Sequence, residues 1–255
     1  MPIALSLIVP AFNERESLPT LVGEVRAALT QRFDWQLVIV NDGSDDGSRE
    51  TLTELCASDP RVEVVHLPRN LGQSVAILAG VARARHGLLA TMDADLQQDP
   101  GDLVALHRAL GSGDAAVGYR QIRCDAWIRR FGSRVGNGVR NAVTGDRIRD
   151  SGCSLRLVRR AALESLVPFD GMHRFLPTLL RIQGHTVVEH PVSHRPRAFG
   201  RSKYGTWGRA IRGVSDVLAV RWMAKRLIRE KDLSGDTEDP GEVRNRSERR
   251  PPRSA

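Results

Sequence analysis

The amino-acid sequence predicts an α/β protein with a doubly wound, mostly parallel sheet. Three observations carry that expectation. Short apolar runs alternate with segments of helical periodicity. Those runs are continuously apolar rather than alternating, as strands covered on both faces are. Each run also passes directly into a polar cluster, the arrangement found at the carboxyl edge of an open α/β sheet, where ligands bind.

The elements follow in order. Ala4 to Val9 is an apolar strand leading into Pro10-Ala11-Phe12-Asn13-Glu14. Leu18, Leu21, Val22, Val25 and Leu29 recur at helical spacing and predict a helix over about Ser17 to Ala28. Gln36 to Val40 is the second strand, closed by Asn41-Asp42-Gly43-Ser44-Asp45-Asp46-Gly47-Ser48; a helix then runs to about Ala57. Asp42-Gly43-Ser44 reads equally as a turn with a helix cap, and Asp45 and Asp46 as solvated acids at the helix start. Val62 to Leu67 is the third strand, ending in Pro68-Arg69-Asn70-Leu71-Gly72, and the helix around Val75 to Ala79 ends near Gly87.

Gly87 to Met92 then forms a short buried strand that delivers Asp93-Ala94-Asp95-Leu96-Gln97. Carboxylates at i and i+2 on an extended segment point to one side. There they repel each other, and a hard cation such as Mg²⁺ or Mn²⁺ relieves the repulsion. Gln97 adds a neutral oxygen. Asp99-Pro100-Gly101-Asp102 reads as a helix N-cap with proline at the first helical position. That helix runs to about Leu110, and Ala115 to Val117 is the next strand. The polar clusters at Asn13-Glu14, Asn41-Asp42, Arg69-Asn70 and Asp93-Asp95 should therefore converge on one crevice.

Beyond Tyr119 the chain becomes basic. Between Arg120 and Arg160 lie 11 arginines against three aspartates, which accounts for the entire net charge of +8 and calls for an anionic partner. From Ala126 to Val143, Trp127, Ile128, Phe131, Val135 and Val139 fall on one side of a helical projection and Arg129, Arg130, Arg134 and Arg140 on the other. A second apolar stripe, Trp207, Ile211, Val214, Leu218 and Trp222, lies within residues 206–228. Basic amphipathic helices of this kind lie in a membrane interface; packing on the domain with a solvated basic face is the alternative. Gly200-Arg201-Ser202-Lys203-Tyr204-Gly205 is a short basic loop suited to folding over a diphosphate. Pro191 argues against a helix that would pair His190 with His194 on a metal.

No window approaches the roughly 20 apolar residues of a membrane span. The opening residues lack the features of a signal peptide. Cys56, Cys124 and Cys153 are odd in number and far apart, which suggests neither disulfides nor zinc. A cytoplasmic protein, held peripherally at the inner membrane face, is expected. One domain is expected over residues 1–228, with amphipathic helices near 126–143 and 207–228, followed by a disordered charged tail over 229–255.

Six pieces, in order, resemble the family-2 glycosyltransferases, specifically the polyprenyl-phosphate (dolichol-phosphate mannosyltransferase-like) branch. They are Ile8 to Glu14, Asn41 to Ser44, Arg69 to Gly72, Asp93 to Gln97, Asp150-Ser151-Gly152-Cys153 and Gly200 to Tyr204. The resemblance implies a GT-A fold in which Pro10, Asn13, Glu14 and Asp42 bind the nucleoside of a UDP- or GDP-linked sugar. Asn41 stands beside them where the family often has aspartate. It implies that Asp93, Asp95 and Gln97 hold Mg²⁺ or Mn²⁺ with the diphosphate, and that Arg69, Arg123, Arg134, Ser202 and Lys203 face phosphates. Asp150 would lie near the acceptor, making Asp95, Asp150 and Arg123 the candidate catalytic residues. The implied reaction is inverting sugar transfer to a polyprenyl phosphate.

Other functions are weighed against it. A family-2 transferase with a soluble sugar or polysaccharide acceptor leaves the basic amphipathic segments unexplained. A nucleic-acid-binding module explains the charge but not the acid-lined strand ends, so no nucleic-acid partner is expected. The absence of G-x-G-x-x-G after the first strand and of a P-loop disfavours dinucleotide and P-loop chemistry. No Gly-rich phosphate loop follows that strand either, which counts against a sugar nucleotidyltransferase. Nothing in the sequence indicates an oligomeric state.

Overall fold

A computed structural model of the chain describes residues 2–120, 138, 141, 143–199 and 206–227. Strands β1 (Ile3–Ala11), β2 (Phe33–Asn41), β3 (Val62–His66) and β4 (Leu88–Thr91) alternate with helices α1 (Leu18–Leu29), α2 (Ser48–Ser58) and α3 (Gln73–Arg83). Helix α4 (Asp102–Leu110), β5 (Ala115–Arg120), β6 (Arg156–Arg159), α5 (Arg160–Glu164), α6 (Leu176–Gln183), β7 (Val187–Val192) and α7 (Thr206–Arg226) complete the described chain. The seven-stranded sheet has the order β3-β2-β1-β4-β6-β5-β7. β6 alone runs antiparallel to its neighbours β4 and β5, and the other pairings are parallel. The expected mostly parallel α/β sheet is present, and no described helix is long and apolar enough to cross a membrane.

Alternation along β1 and β2 shows the sheet covered on both faces. Leu5, Leu7 and Val9, with Trp35, Leu37 and Ile39, pack against α1, Leu52 of α2 and the apolar side of α4. Ile8 points the other way, against α3, α6 and Val220 of α7, while Val38 and Val40 meet Ala76. Gly80 makes the close approach of α3 possible, since a Cβ there would lie 2.4 Å from Ile8 Cγ2.

The structure departs from the expectations in two respects. β6, β7 and α6 carry short or weakly apolar segments that predict nothing by periodicity. Asp93 and Asp95 also leave the pleat: β4 ends at Thr91 and residues 94–96 bend, so the carboxylates are brought together by a turn. The proposed helix near 126–143 and the tail from 229 fall outside the described residues, apart from 138, 141 and 143.

Asp59, at the junction of α1, α2 and β3, ties the nucleus of the fold together. Its carboxylate accepts hydrogen bonds from the backbone N–H and guanidinium of Arg61 and from Arg26 Nε. The Arg61 guanidinium, followed by the other donors, outweighs burial and draws the Asp59 pKa down to about 2. Because this value lies below that of the unfolded chain, the stabilisation is present above about pH 4 and lost as pH falls towards 2. Asp59→Asn is expected to lower the urea midpoint at pH 7, and the gap to the parent should close progressively from pH 4 to pH 3.

Candidate active site

β1, β2 and β3 end level with one another, Ala11 pairing with Asn41 and Asn41 with His66. Asn13 takes a left-handed backbone (φ 55°), which asparagine tolerates. Its side chain exchanges two hydrogen bonds with Asp45: Nδ2 donates to Oδ1 at 2.8 Å, and Oδ1 accepts from the Asp45 N–H at 2.9 Å. Asn41, buried, accepts from the Ser44 N–H at 3.0 Å and places Nδ2 3.1 Å from His66 Nδ1. Both amides therefore shape the 41–46 turn. Asp46 accepts from the Ser48 N–H and hydroxyl and from the Arg15 N–H, so neither it nor Asp45 is the merely solvated acid expected.

Asp42 projects its carboxylate across the crevice to the N–H groups of Leu71 (2.7 Å) and Gly72 (3.0 Å). This fixes the loop that carries exposed Arg69. Gly43 (φ 70°) lies directly beneath that loop: a Cβ would sit 2.3 Å from the Arg69 carbonyl carbon. Pro10 and Glu14 border the same edge, with the Ser17 hydroxyl donating to the Glu14 backbone carbonyl.

Across the crevice, Asp93 Oδ1 accepts from Gln73 Nε2 at 2.9 Å, and the Asp93 N–H donates to Gln98 Oε1. Gln98 is held in turn by Ser154 Oγ at 2.5 Å. Burial first, then the charge of Asp95, raises the Asp93 pKa; Ser154, Arg156 and Arg120 oppose the rise. Leu96 follows with φ 61°, a strained value for a leucine and one that marks a constrained turn. The Gln97 N–H donates to Asp95 Oδ1, and Gln97 Nε2 donates to the Arg195 carbonyl.

The strap after β7 closes this side. The Ser193 N–H donates to Asp102 Oδ2 and the Arg195 N–H to the Gln97 carbonyl. The Arg195 guanidinium joins Glu24 and Asp99, so Asp99 is an ion-pair partner as well as the acceptor for the Gly101 N–H. Arg197 bridges Glu14 Oε1 (3.2 Å) and Asp95 Oδ2 (2.7 Å). Sequence reasoning did not single out Arg197; the visible signal was the basic run His194-Arg195-Pro196-Arg197, but its partners lie too far along the chain to be read.

The far wall comes from the turn before β6. Asp150 is gripped by Arg120 through Nε (2.7 Å) and Nη2 (2.9 Å) and accepts from the Gly152 N–H. Arg156, buried, donates to the His173 and Ser151 carbonyls; its Nε has no hydrogen-bond partner among the described residues. Ser74 at the start of α3 shares a hydrogen bond with His173 Nδ1 and accepts from the Gly171 N–H. This fastens the 171–175 segment to the Asp93 side. Cys153 is buried, and its thiol is pushed up to about 11 by burial and by Asp150. It is inert packing.

Hydrogen bonds thus link the strand ends that carry the expected site residues: the Asp45 N–H to Asn13, the Leu71 and Gly72 N–H groups to Asp42, Gln73 to Asp93, and Arg197 to Glu14 and Asp95. Arg123, Arg134, Ser202 and Lys203 lie outside the described residues. His190 lies on strand β7 rather than on a helix.

The donor set suits a hard divalent cation. Asp93 and Asp95 offer carboxylate oxygens, and their mutual repulsion is what such a cation relieves. Among the described residues no group of three or more His, Cys, Asp or Glu is assembled to hold a metal. Two carboxylates completed by substrate phosphate oxygens is the Mg²⁺ pattern.

The glycosyl transferase family 2 model matches residues 6–167. A dodecaprenyl-phosphate galacturonate synthase of Rhizobium johnstonii is 35% identical, over 91% of this chain and 71% of its own length. An undecaprenyl-phosphate 4-deoxy-4-formamido-L-arabinose transferase of Edwardsiella ictaluri is 38% identical, over 79% of this chain and 63% of its own. The chain spans only part of either relative. Mycobacterium tuberculosis glucosyl-3-phosphoglycerate synthase shares the fold with a TM-score of 0.65 at 17% identity, over 86% of this chain and 80% of that one. A Pyrobaculum calidifontis mannosyltransferase solved with GDP-Man and Mn²⁺ has a TM-score of 0.61 at 17% identity, over 88% and 70%. At such identity these two structures speak for the fold alone.

Gly43→Ala tests the coupling between Asp42 and the 69–72 loop. A left-handed backbone and a backbone clash that no rotamer relieves should together cost about 2–4 kcal/mol in urea unfolding. A loss below about 1 kcal/mol would show that the two loops are not tightly packed.

Proposed function

The chain belongs to glycosyl transferase family 2, and from that membership we propose that it transfers a sugar from a nucleoside diphosphate to a polyprenyl phosphate. The observation that carries this reading is the Asp93–Asp95 pair, set at the strand ends and faced by Asp42 and the Arg69 loop. The named activities of its relatives, which use dodecaprenyl and undecaprenyl phosphate, supply the acceptor class.

In this reading Pro10, Glu14 and Asp42 line the nucleoside pocket. Asn13 and Asn41 act by setting the shape of its turn. Asp93, Asp95 and Gln97 hold Mg²⁺ or Mn²⁺, which when bound supplies positive charge against the donor diphosphate. Arg69, Arg123, Arg134, Ser202 and Lys203 face the phosphates of donor and acceptor. A phosphate oxygen of the acceptor attacks the anomeric carbon, the bond from that carbon to the diphosphate breaks, and the nucleoside diphosphate leaves with the electron pair. Attack from the opposite face inverts the anomeric configuration.

The acceptor phosphate, with a second pKa of about 6, is already anionic near neutral pH. It needs no strong base. Asp150 is suited to another task, because its carboxylate is held by two donors of the Arg120 guanidinium. It orients Arg120 at the acceptor side.

Membrane attachment rests on α7. Val220 is fully buried and Val217 and Met223 pack on the core, whereas Leu218 and Trp222 are 58% and 65% exposed. Arg221, Lys225 and Arg226 stand exposed beside them, an arrangement suited to anionic headgroups at a cytoplasmic membrane face.

The test supplies purified protein with Mn²⁺ or Mg²⁺, dispersed polyprenyl phosphate and a panel of labelled UDP- and GDP-sugars, and follows label into organic solvent. Lipid-linked label with one donor is the expected result. Nucleotide release without lipid labelling would favour the soluble-acceptor reading. Asp95→Asn should reduce turnover by about 10²–10³-fold or more, and Asp150→Asn by much less. Equal losses would point instead to obligatory base catalysis. Leu218→Glu with Trp222→Glu should abolish co-sedimentation with anionic vesicles while leaving the thermal midpoint unchanged.

A further inference from the structure

Arg197 joins two carboxylates remote in sequence, Glu14 at 3.2 Å and Asp95 at 2.7 Å. Both acids are largely buried, and the Arg197 side chain is 27% exposed, so it has a way out. The backbone beneath it is fixed without its help. The Arg195 N–H donates to the Gln97 carbonyl, Gln97 Nε2 returns a bond to the Arg195 carbonyl, and the Arg195 side chain is anchored on Glu24 and Asp99. Arg197 is therefore a long cationic side chain on a strap that is anchored at Arg195. Its charge rests on the Asp95 oxygen that faces Glu14.

A divalent cation and this guanidinium compete for that oxygen. A cation arriving alone must evict Arg197 from two largely buried partners and leave it without an anion, and separating a buried pair in this way is costly. A cation arriving with a diphosphate removes the difficulty. The diphosphate offers Arg197 paired oxygens that suit its planar fork, and it completes the coordination that two carboxylates begin.

Resting on the reading of Asp93 and Asp95 as the cation site, we propose that Arg197 is a donor-positioning residue that holds the cation's place on Asp95 in the empty enzyme and moves onto the donor diphosphate when it binds. Cation and nucleotide then enter as one unit. Each tightens the other by the same factor, since coupling between two bound ligands is reciprocal.

The experiment measures protein-bound Mn²⁺ by electron paramagnetic resonance on the full chain, with no acceptor and no turnover. Mn²⁺ is titrated alone and with UDP or GDP. The parent should bind Mn²⁺ weakly alone and at least about tenfold more tightly with the preferred nucleotide. Arg197→Met should bind Mn²⁺ alone about tenfold more tightly than the parent and lose most of the nucleotide enhancement. Arg197→Lys, which keeps the charge, should stay nearer the parent. Glu14→Gln removes one anchor, leaves the arginine in place and should give a smaller gain, which serves as the test should Arg197→Met fold poorly. Unchanged Mn²⁺ affinity in the folded variants would overturn the proposal. Asp95→Asn separates the two readings. If it binds Mn²⁺ as the parent does, the cation site itself is misplaced and the proposal falls with it. If it loses Mn²⁺ while Arg197→Met matches the parent, the cation site stands and the role of Arg197 falls.

Discussion

Two carboxylates brought together at the buried end of a strand are the constraint around which this molecule is arranged. Asp93 is pushed towards its neutral form by burial and by Asp95, and the surrounding chain is organised to resist that push. Gln73 donates to the Asp93 carboxylate, and Ser154, Arg156 and Arg120 oppose the rise in its pKa. Arg197 neutralises Asp95 directly. These groups come from α3, β5, the turn before β6, β6 itself and the strap after β7. Each of those elements has its position fixed partly by a need to reach the same acids. A site that tolerates two anions in the absence of ligand is already organised for the charge its ligands bring.

The half of this arrangement built on β1 to β4 was legible in the sequence because it is local. A continuous apolar strand followed at once by a polar cluster repeats four times, and the parallel sheet lines up the four clusters without further information. Even there, side-chain duties were not. Asn13 and Asn41 look like ligands in a list of residues. In the structure their amides are occupied with Asp45, Ser44 and His66, because a turn of that curvature needs internal acceptors and donors. The half built on β6 and the strap after β7 was less legible. β6 is four residues long and runs against its neighbours, so neither length nor periodicity announces it. The partners of Arg197 lie 102 and 183 residues away along the chain, a separation that no local pattern encodes.

Membership of glycosyl transferase family 2 and the helical evidence from α7 bear on different questions. The first fixes the reaction class. The second concerns where the catalytic edge faces. Asp216 of α7 lies against Gly171 and pairs with Arg174, and Arg221 donates to the Val143 carbonyl. The helix with the exposed Trp222 therefore also braces the segment that Ser74 and Arg156 fasten beside Asp93. One element thus carries both an exposed apolar face and part of the bracing of the site.

The reversal at β6 has a consequence for the chain that precedes it. The chain leaves the sheet after β5 and re-enters at β6 on an adjacent strand, with Val117 paired to Arg156 and the Gly118 N–H donating to the Leu155 carbonyl. The Arg120–Asp150 pair clasps the two ends of that excursion like a buckle. Once the ends are clasped, lengthening the excursion adds only a slowly growing closure entropy. Chain length between residues 120 and 150 therefore weighs little on the stability of the sheet, so long as the pair that closes it holds.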